Sequence, residues 1–114
     1  MQYSAYYVEE SDGTFSASIS KLELEKPADG FVQIKVTHSS LNYKDALSAS
    51  GNKGVTRNYP FVPGIDAAGT ISEANFSHFT EGDEVLVTGY DMGMNTPGGF
   101  GEYINVPTLS LIHI

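Results

Sequence analysis

The stretch of the chain with the most functional groups runs from Leu41 to Leu47 and has the sequence Leu-Asn-Tyr-Lys-Asp-Ala-Leu. It places an amide, a phenol, an ammonium and a carboxylate on four successive residues, which is more than packing alone requires. An amide or a phenol can donate a hydrogen bond to a carbonyl oxygen, and a cation can bind phosphate. We therefore predict the functional site here. The alternative is that Tyr43 is an ordinary half-buried aromatic residue and Lys44 a solvated cation.

The same stretch predicts a short helix. Asn42 suits the N-cap, and Asp45, three residues later, can reach back to it. Gly51 suits a C-terminal stop. Three residues share one helix face by the i, i+3 and i+4 spacing: Tyr43, Ala46 and Leu47. We expect the last of these to point into the core.

The charges of the chain are distributed unevenly. Six Lys and Arg residues against fourteen Asp and Glu residues give a formal net charge of −8, which argues against nucleic acid or acidic lipid as a partner. Between His38 and Pro63, three cations accompany one anion, so this segment carries +2 and the remainder −10. The cations are Lys44, Lys53 and Arg57. The segment is either a local surface for phosphate groups or a solvated loop.

Composition excludes several classes of site. The 114 residues include no cysteine, so disulfides, thiolate zinc sites and cysteine nucleophiles are excluded. His38, His78 and His113 lack the paired spacing of a zinc site. The N-terminus has no basic and apolar leader, and no apolar run approaches the roughly 18 residues of a membrane span. We expect one cytoplasmic domain without a metal and without membrane contact.

Patterns elsewhere predict a mostly β protein. Alternation on both sides of Asp12-Gly13 indicates a β-hairpin. Another strand is predicted with alternate residues facing the core and the outside: Val32, Ile34 and Val36 inward, and Gln33, Lys35 and Thr37 outward. Further strands are predicted over 61–71, 84–88 and 100–107. Seven or eight short strands with one or two short helices favour a mostly β, α+β class, in the form of a small barrel.

Asp66 is the one ionisable group in the segment 61–71. Gly64 and Gly69 in the same segment indicate that another part of the chain approaches its backbone closely. A carboxylate in this setting is either the hub of a buried hydrogen-bond network or a site residue. The residues alone leave both interpretations open.

Four ordered motifs carry a resemblance to a known family, and they lie at 39–47, 59–70, 81–85 and 98–103. From Tyr3 to Pro107 the chain resembles the N-terminal GroES-like domain of the medium-chain dehydrogenase/reductase superfamily. Within it, the chain is similar to the quinone-oxidoreductase-like branch that includes NADPH-dependent acrylyl-CoA reductases. The resemblance implies a GroES-like, partly open β-barrel that lacks the Rossmann domain. Residues 1–107 would form the catalytic domain, and 108–114 an atypical tail at a truncation point.

The same resemblance implies chemistry without zinc. Zinc alcohol dehydrogenases of this fold have a Cys near the place of Asn42 and a His-Glu pair after the glycine equivalent to Gly64, whereas this chain has Ile65-Asp66. Zinc needs three protein ligands. The implied activity is NADPH-dependent reduction of an activated double bond, in an acrylyl-CoA or quinone-like substrate, by hydride transfer.

Roles for individual residues follow from the resemblance. It implies catalytic roles for Tyr43 and Asn42. The cofactor would contact Tyr43 and Lys44, and the substrate would contact Asn42, Arg57 and Asp66.

The resemblance also implies partners. NADPH would bind through a Rossmann domain absent from this chain, and the substrate would be a small molecule such as a CoA thioester. We expect a homodimer for the full-length form and no activity for the fragment alone. The alternative is a stand-alone GroES-like small-barrel binding module without catalysis.

Overall fold

Seven strands, one α-helix and one 3-10 helix make up the described part of the chain. The structure is a computed structural model, and it describes residues 1–52, 54–74, 79–88, 92–94 and 96–113. The strands are β1 (Gln2–Ser11), β2 (Thr14–Glu23), β3 (Phe31–Ser39), β4 (Ala67–Glu73), β5 (Glu84–Val87), β6 (Tyr103–Pro107) and β7 (Leu111–His113). Helix α1 spans Tyr43–Ala49, and the 3-10 helix spans Thr108–Ser110. The predicted mostly β class is confirmed.

The first two strands form the predicted hairpin. Asp12 and Gly13 connect them with positive φ values of 51° and 78°, as the two-residue turn that matches strand twist requires. The hairpin forms its own two-stranded sheet and joins the rest of the molecule through isolated bridges. These bridges pair Ala5 with Gly101 and Val8 with Phe61.

The other five strands form an antiparallel sheet in the order β6-β3-β4-β5-β7. One face of this sheet, with side chains from the connecting segments, builds the core. Its buried members are Val32, Ile34, Ala67, Ile71, Phe79, Val85, Val87, Met92, Ile104 and Val106. The predicted inward positions of Val32 and Ile34 are confirmed, and Val36 packs against the core half-buried. No helix in the described ranges is long and apolar enough to cross a membrane.

Gln33 was predicted to face outward, and this is wrong, because its side chain is buried at 5% exposure. Its amide nitrogen donates to the Glu25 carbonyl oxygen at 3.0 Å and to Asn105 Oδ1 at 3.2 Å. The Ser72 hydroxyl donates to its Oε1 at 3.1 Å. These partners satisfy the amide, so it can be buried on the second face of the sheet.

The strand predicted over 61–71 begins only at Ala67. The preceding segment pairs irregularly with the loop before β6: Gly98 N–H donates to the Val62 carbonyl at 2.7 Å, and Phe100 N–H to the Pro63 carbonyl at 3.0 Å. Gly64 has a φ of +112°, which only glycine adopts readily. A Cβ at Gly64 would lie 2.7 Å from the Gly99 backbone nitrogen, and one at Gly69 would clash with the Lys35 carbonyl oxygen, so the predicted close approach is confirmed at both glycines. The same pairing removes Phe100 from the strand predicted over 100–107, which begins at Tyr103.

The segment expected to be an atypical tail is part of the sheet. After the 3-10 helix, β7 pairs antiparallel with β5, and Leu111 lies opposite Val87. Leu109 of the 3-10 helix is 97% exposed. His78, Lys53 and the side chain of His113 lie outside the described residues.

Candidate functional site

Helix α1 begins and ends as the sequence predicts. Asn42 is the N-cap, and Asp45 Oδ2 accepts the Asn42 backbone N–H at 2.9 Å. Ser50 is the C-cap, and Gly51 follows with a φ of +94°. Capping at both ends stabilises a helix of only seven residues, for which nucleation alone is unfavourable.

The face of α1 that packs inward is polar, so the predicted apolar face is wrong. Tyr43 is 80% exposed, Ala46 is exposed and Leu47 is half-buried. The buried residues are Asp45 at 1% exposure and Ser48 at 0%. The loop that follows the helix covers this face, and its donors and acceptors satisfy the buried polar groups.

Asp45 links the start of α1 to the segment before β4. Besides accepting from Asn42, its carboxylate accepts the Ile65 backbone N–H at Oδ1, at 3.0 Å. A carboxylate removed from water needs such donors, because burial without them is unfavourable by several kcal/mol. Asp45 therefore fixes two segments that are 20 residues apart in sequence.

Ser40, Asn42 and Asp66 form a second cluster at the end of the β3–β4 pair. The Asn42 side-chain amide donates to Ser40 Oγ at 2.8 Å and to Asp66 Oδ2 at 3.2 Å. Ser40 Oγ in turn donates to Asp66 Oδ2 at 3.0 Å. Strand pairing of Ser39 with Ala67 brings these groups together. Asp66 is half-buried and is the hub of this network.

A third group of polar residues, which the sequence did not predict, ties the end of α1 to the loop at 54–59. Thr56 Oγ1 donates to Ser48 Oγ at 2.8 Å, and both residues are fully buried. The Tyr59 hydroxyl donates to the Ser48 carbonyl at 2.6 Å, and its ring packs edge-on against Phe15 and Phe61. The spacing of these residues in the loop carries no periodic signal by which they could have been found.

Clefts lined in part by Tyr6 and Phe100 lie beside the hairpin, and one of them adjoins α1. One, of about 330 Å³, is lined by Tyr6, Leu41, Asp45, Ala46, Ala49 and Phe100. A second, of about 400 Å³, shares Tyr6 and Phe100 and extends along the end of β3 to His38 and Ser39. The Tyr6 and Phe100 rings meet edge-to-face with centroids 6.3 Å apart. Both rings lie in segments predicted as strands, where alternation marks a residue as inward or outward but not as part of a site.

The predicted site residues occupy different settings. Asn42 and Asp66 share a hydrogen bond, whereas Lys44 on α1 and Arg57 in the following loop are both exposed. His38 is exposed, and its Nδ1 lies 3.0 Å from Thr37 Oγ1. Within the described ranges, no three His, Cys, Asp or Glu side chains are placed to hold a metal ion.

Comparison with known proteins gives a family and several relatives. Residues 28–114 match the model of the alcohol dehydrogenase GroES-like domain. The chain is 41% identical over 106 residues to the Bacillus subtilis protein named "Putative quinone oxidoreductase YhfP", covering 92% of this chain and 32% of that protein. It is 37% identical over 98 residues to the acrylyl-CoA reductase AcuI of Ruegeria pomeroyi, covering 86% of this chain and 30% of that protein.

Solved structures agree with the sequence relatives. The crystal structure of YhfP with NAD bound superposes with a TM-score of 0.92 at 36% identity, over 99% of this chain and 34% of that one. The structure of Escherichia coli YhdH with bound NADPH gives a TM-score of 0.88 at 40% identity, over 96% and 34% of the two chains. The chain spans about a third of the length of the curated relatives it matches.

The motif positions, the strand order and these matches agree with one another. The resemblance inferred from the sequence is confirmed, and with it the GroES-like fold. The chain belongs to the alcohol dehydrogenase GroES-like domain family of the medium-chain dehydrogenase/reductase superfamily.

Proposed function

We propose that the chain is the N-terminal substrate-binding and catalytic domain of an NADPH-dependent oxidoreductase that reduces an activated carbon–carbon double bond without zinc. The substrate class is an acrylyl-CoA-like thioester or a quinone-like compound, as the names of the relatives suggest. The observation that carries the proposal is the 80% exposed phenol of Tyr43 at the start of a helix whose inner face is braced by buried polar groups. The buried polar contacts hold the backbone that carries this donor, and a donor presented from a fixed backbone suits the stabilisation of developing negative charge.

The bound cofactor would supply a hydride to the β-carbon, while the electron pair of the double bond moves toward the carbonyl oxygen and the α-carbon takes a proton from water. This chain contributes a hydrogen-bond donor for that oxygen. Tyr43 has its hydroxyl in the open, whereas the Asn42 side-chain nitrogen already donates to Ser40 and Asp66. We therefore assign contact with the substrate carbonyl or the nicotinamide to Tyr43, and to Asn42 the positioning of that helix turn.

The exposed residues of α1 and its loop fit a phosphate-containing partner. Lys44 occupies the second position of α1 and Arg57 lies in the loop beyond it, and both side chains are exposed. Ammonium and guanidinium groups bind phosphate through charge-assisted hydrogen bonds. Lys44 would contact cofactor phosphates, and Arg57 the phosphates of a CoA thioester.

The residues at the positions that hold zinc ligands in the zinc alcohol dehydrogenases support a reaction without zinc in this chain. Asn42 offers an amide that is engaged in hydrogen bonds, and Ile65 offers an aliphatic side chain. Of the three positions, only Asp66 carries a group that zinc commonly binds. The carboxylate of Asp66 already accepts hydrogen bonds from Ser40 and Asn42.

A domain exchange tests the proposal. This chain would replace the matching N-terminal segment of E. coli YhdH, and the exchange protein would be assayed with NADPH and acrylyl-CoA. The control is YhdH itself, whose own turnover of acrylyl-CoA is measured first. We expect turnover, and we expect exhaustive chelation to leave it unchanged. A folded exchange protein that binds NADPH without reducing acrylyl-CoA or a quinone would favour the stand-alone binding module. A loss on chelation that zinc restores would overturn the zinc-free mechanism.

The 114-residue chain assayed alone provides a second test. We expect no steady NADPH-dependent reduction of an enoyl thioester or a quinone, because the proposed cofactor site requires a nucleotide-binding domain. Steady turnover by the purified chain would contradict the proposal that the cofactor site requires a nucleotide-binding domain.

A further inference from the structure

We propose that Asp45 is a positioning residue of this site: it holds the first turn of α1 against the segment at 63–66 and so fixes where the Tyr43 phenol is presented. The inference rests on the proposed function and adds a residue to the same site. It starts from an unusual feature of a helix cap. A capping carboxylate at the third helical position ordinarily remains in water, whereas Asp45 is only 1% exposed.

Capping alone does not account for this burial. One carboxylate oxygen accepts the Asn42 backbone N–H, at 2.9 Å, which is the capping contact. The other accepts the Ile65 backbone N–H, at 3.0 Å, which lies outside the helix and its flanks. Each carboxylate oxygen of Asp45 therefore accepts a main-chain N–H, and the two N–H groups belong to separate segments. A buried carboxylate with two such donors holds both segments, because releasing either donor would leave buried charge poorly solvated.

The segment that Asp45 reaches is itself anchored. Gly99 N–H donates to the Gly64 carbonyl at 2.9 Å, and Phe100 N–H donates to the Pro63 carbonyl at 3.0 Å. The bond to Ile65 thus ties the start of α1 to a fixed part of the fold.

Asn42 is consequently held twice. Asp45 accepts its backbone N–H, and Asp66, the neighbour of Ile65, accepts its side-chain amide at 3.2 Å. Tyr43 is the next residue and begins the helix. Since the ring itself is largely in solvent, its placement depends on the backbone that these two carboxylates hold. Losing Asp45 should therefore affect a reaction step that depends on donor position more than it affects substrate affinity.

Hydrogen exchange of the unmodified 114-residue chain gives a test that needs no activity. The backbone amides of Asn42 and Ile65 should both exchange at least about tenfold more slowly than exposed amides. Their opening equilibrium constants should agree within about threefold, because the same Asp45 carboxylate accepts both N–H groups. The proposal is overturned if either amide exchanges at the rate of an exposed amide while the β3 amides remain protected.

Kinetics of the YhdH exchange protein give the second test, with Asp45→Asn compared with Ser48→Ala. Ser48 is equally buried on the same helix, but its partners lie at 56–59. We expect Asp45→Asn to lower kcat at least about tenfold with KM for acrylyl-CoA within about threefold, and Ser48→Ala to leave kcat within about twofold at a similar loss of Tm. Equal kcat losses in the two variants would overturn the positioning role. If the YhdH protein carrying this domain shows no turnover, the proposed function is overturned. The hydrogen-exchange measurement on the 114-residue chain still decides the role of Asp45 separately.

Discussion

The core face of the five-stranded sheet and the α1 region bury opposite kinds of side chain. The sheet buries aliphatic residues such as Val32, Ile34 and Val85, at 0–1% exposure, against one another. Helix α1 and its loop bury Asp45, Ser48 and Thr56, also at 0–1% exposure. Apolar burial is not directional and tolerates swaps that conserve volume, whereas buried polar groups depend on particular partners. The sheet therefore supplies stability, and the α1 region supplies a defined geometry. Four substitutions test this contrast, in order of decreasing effect on the free energy of unfolding.

Ile34→Ala tests the sheet. Ile34 is 1% exposed in the centre of the core, so the lost burial and the remaining cavity should lower the free energy of unfolding by about 2–5 kcal/mol. Urea denaturation measures this loss. Leu109→Ala, at a site that is 97% exposed, is the control and should change it by less than about 0.5 kcal/mol. A loss below about 1 kcal/mol at Ile34 would show that the sheet is not the principal source of stability.

Gly64→Ala tests the backbone that positions the α1 region. A Cβ there would lie 2.7 Å from the Gly99 backbone nitrogen, at a φ of +112°. Strain and overpacking together should lower the free energy of unfolding by about 2–4 kcal/mol. Gly82→Ala is the matched control, because Gly82 has a φ of +91° and nothing within 4 Å of the added Cβ. Equal losses at the two glycines would mean that the close approach at Gly64 contributes nothing beyond backbone strain.

Thr56→Val tests the buried polar contacts at nearly constant volume. It removes the hydroxyl that donates to Ser48 Oγ and should lower the free energy of unfolding by about 1–3 kcal/mol, since the partner stays buried. Thr14→Val, at an exposed position of β2, is the control. The combination with Ser48→Ala should be less destabilising than the sum of the single substitutions, because both remove one interaction. Strict additivity would contradict the coupling.

Tyr43→Phe should have the smallest effect on stability and a clear effect on the reaction. The ring is 80% exposed, so Phe or Ala there should change the free energy of unfolding by less than about 0.5 kcal/mol. If the ring were buried in the core, Tyr43→Ala would lower the free energy of unfolding by about 3–5 kcal/mol, but the exposed ring makes no such contribution. In the YhdH exchange protein, Tyr43→Phe should reduce kcat/KM about 5- to 150-fold, equivalent to about 1–3 kcal/mol. Unchanged kinetics would remove Tyr43 from the site.

Features that depend on residues close together in the sequence could be predicted from the sequence alone. Asp12-Gly13 forms the two-residue hairpin turn that this pair favours, with a positive φ at both residues. Asn42 and Asp45 cap α1 as their spacing indicates. The alternation of Val32 and Ile34 predicted the inward face of β3. The ordered motifs also predicted the family, because they contain glycines and turns that the fold requires at fixed places in the chain.

Only the tertiary structure decided which groups meet at the site. Residue periodicity assumes that the inward face of a helix is apolar, but it carries no information about which segment covers that face. Here the segment after α1 covers it and supplies the Ile65 N–H to Asp45 and the Thr56 hydroxyl to Ser48, so both residues lie inside and Tyr43 lies outside. The bond between Asn42 and Asp66 spans 24 residues of sequence. It exists because β3 and β4 pair so that Ser40 and Asp66 flank the same end of the sheet, a geometric relation that local sequence does not encode.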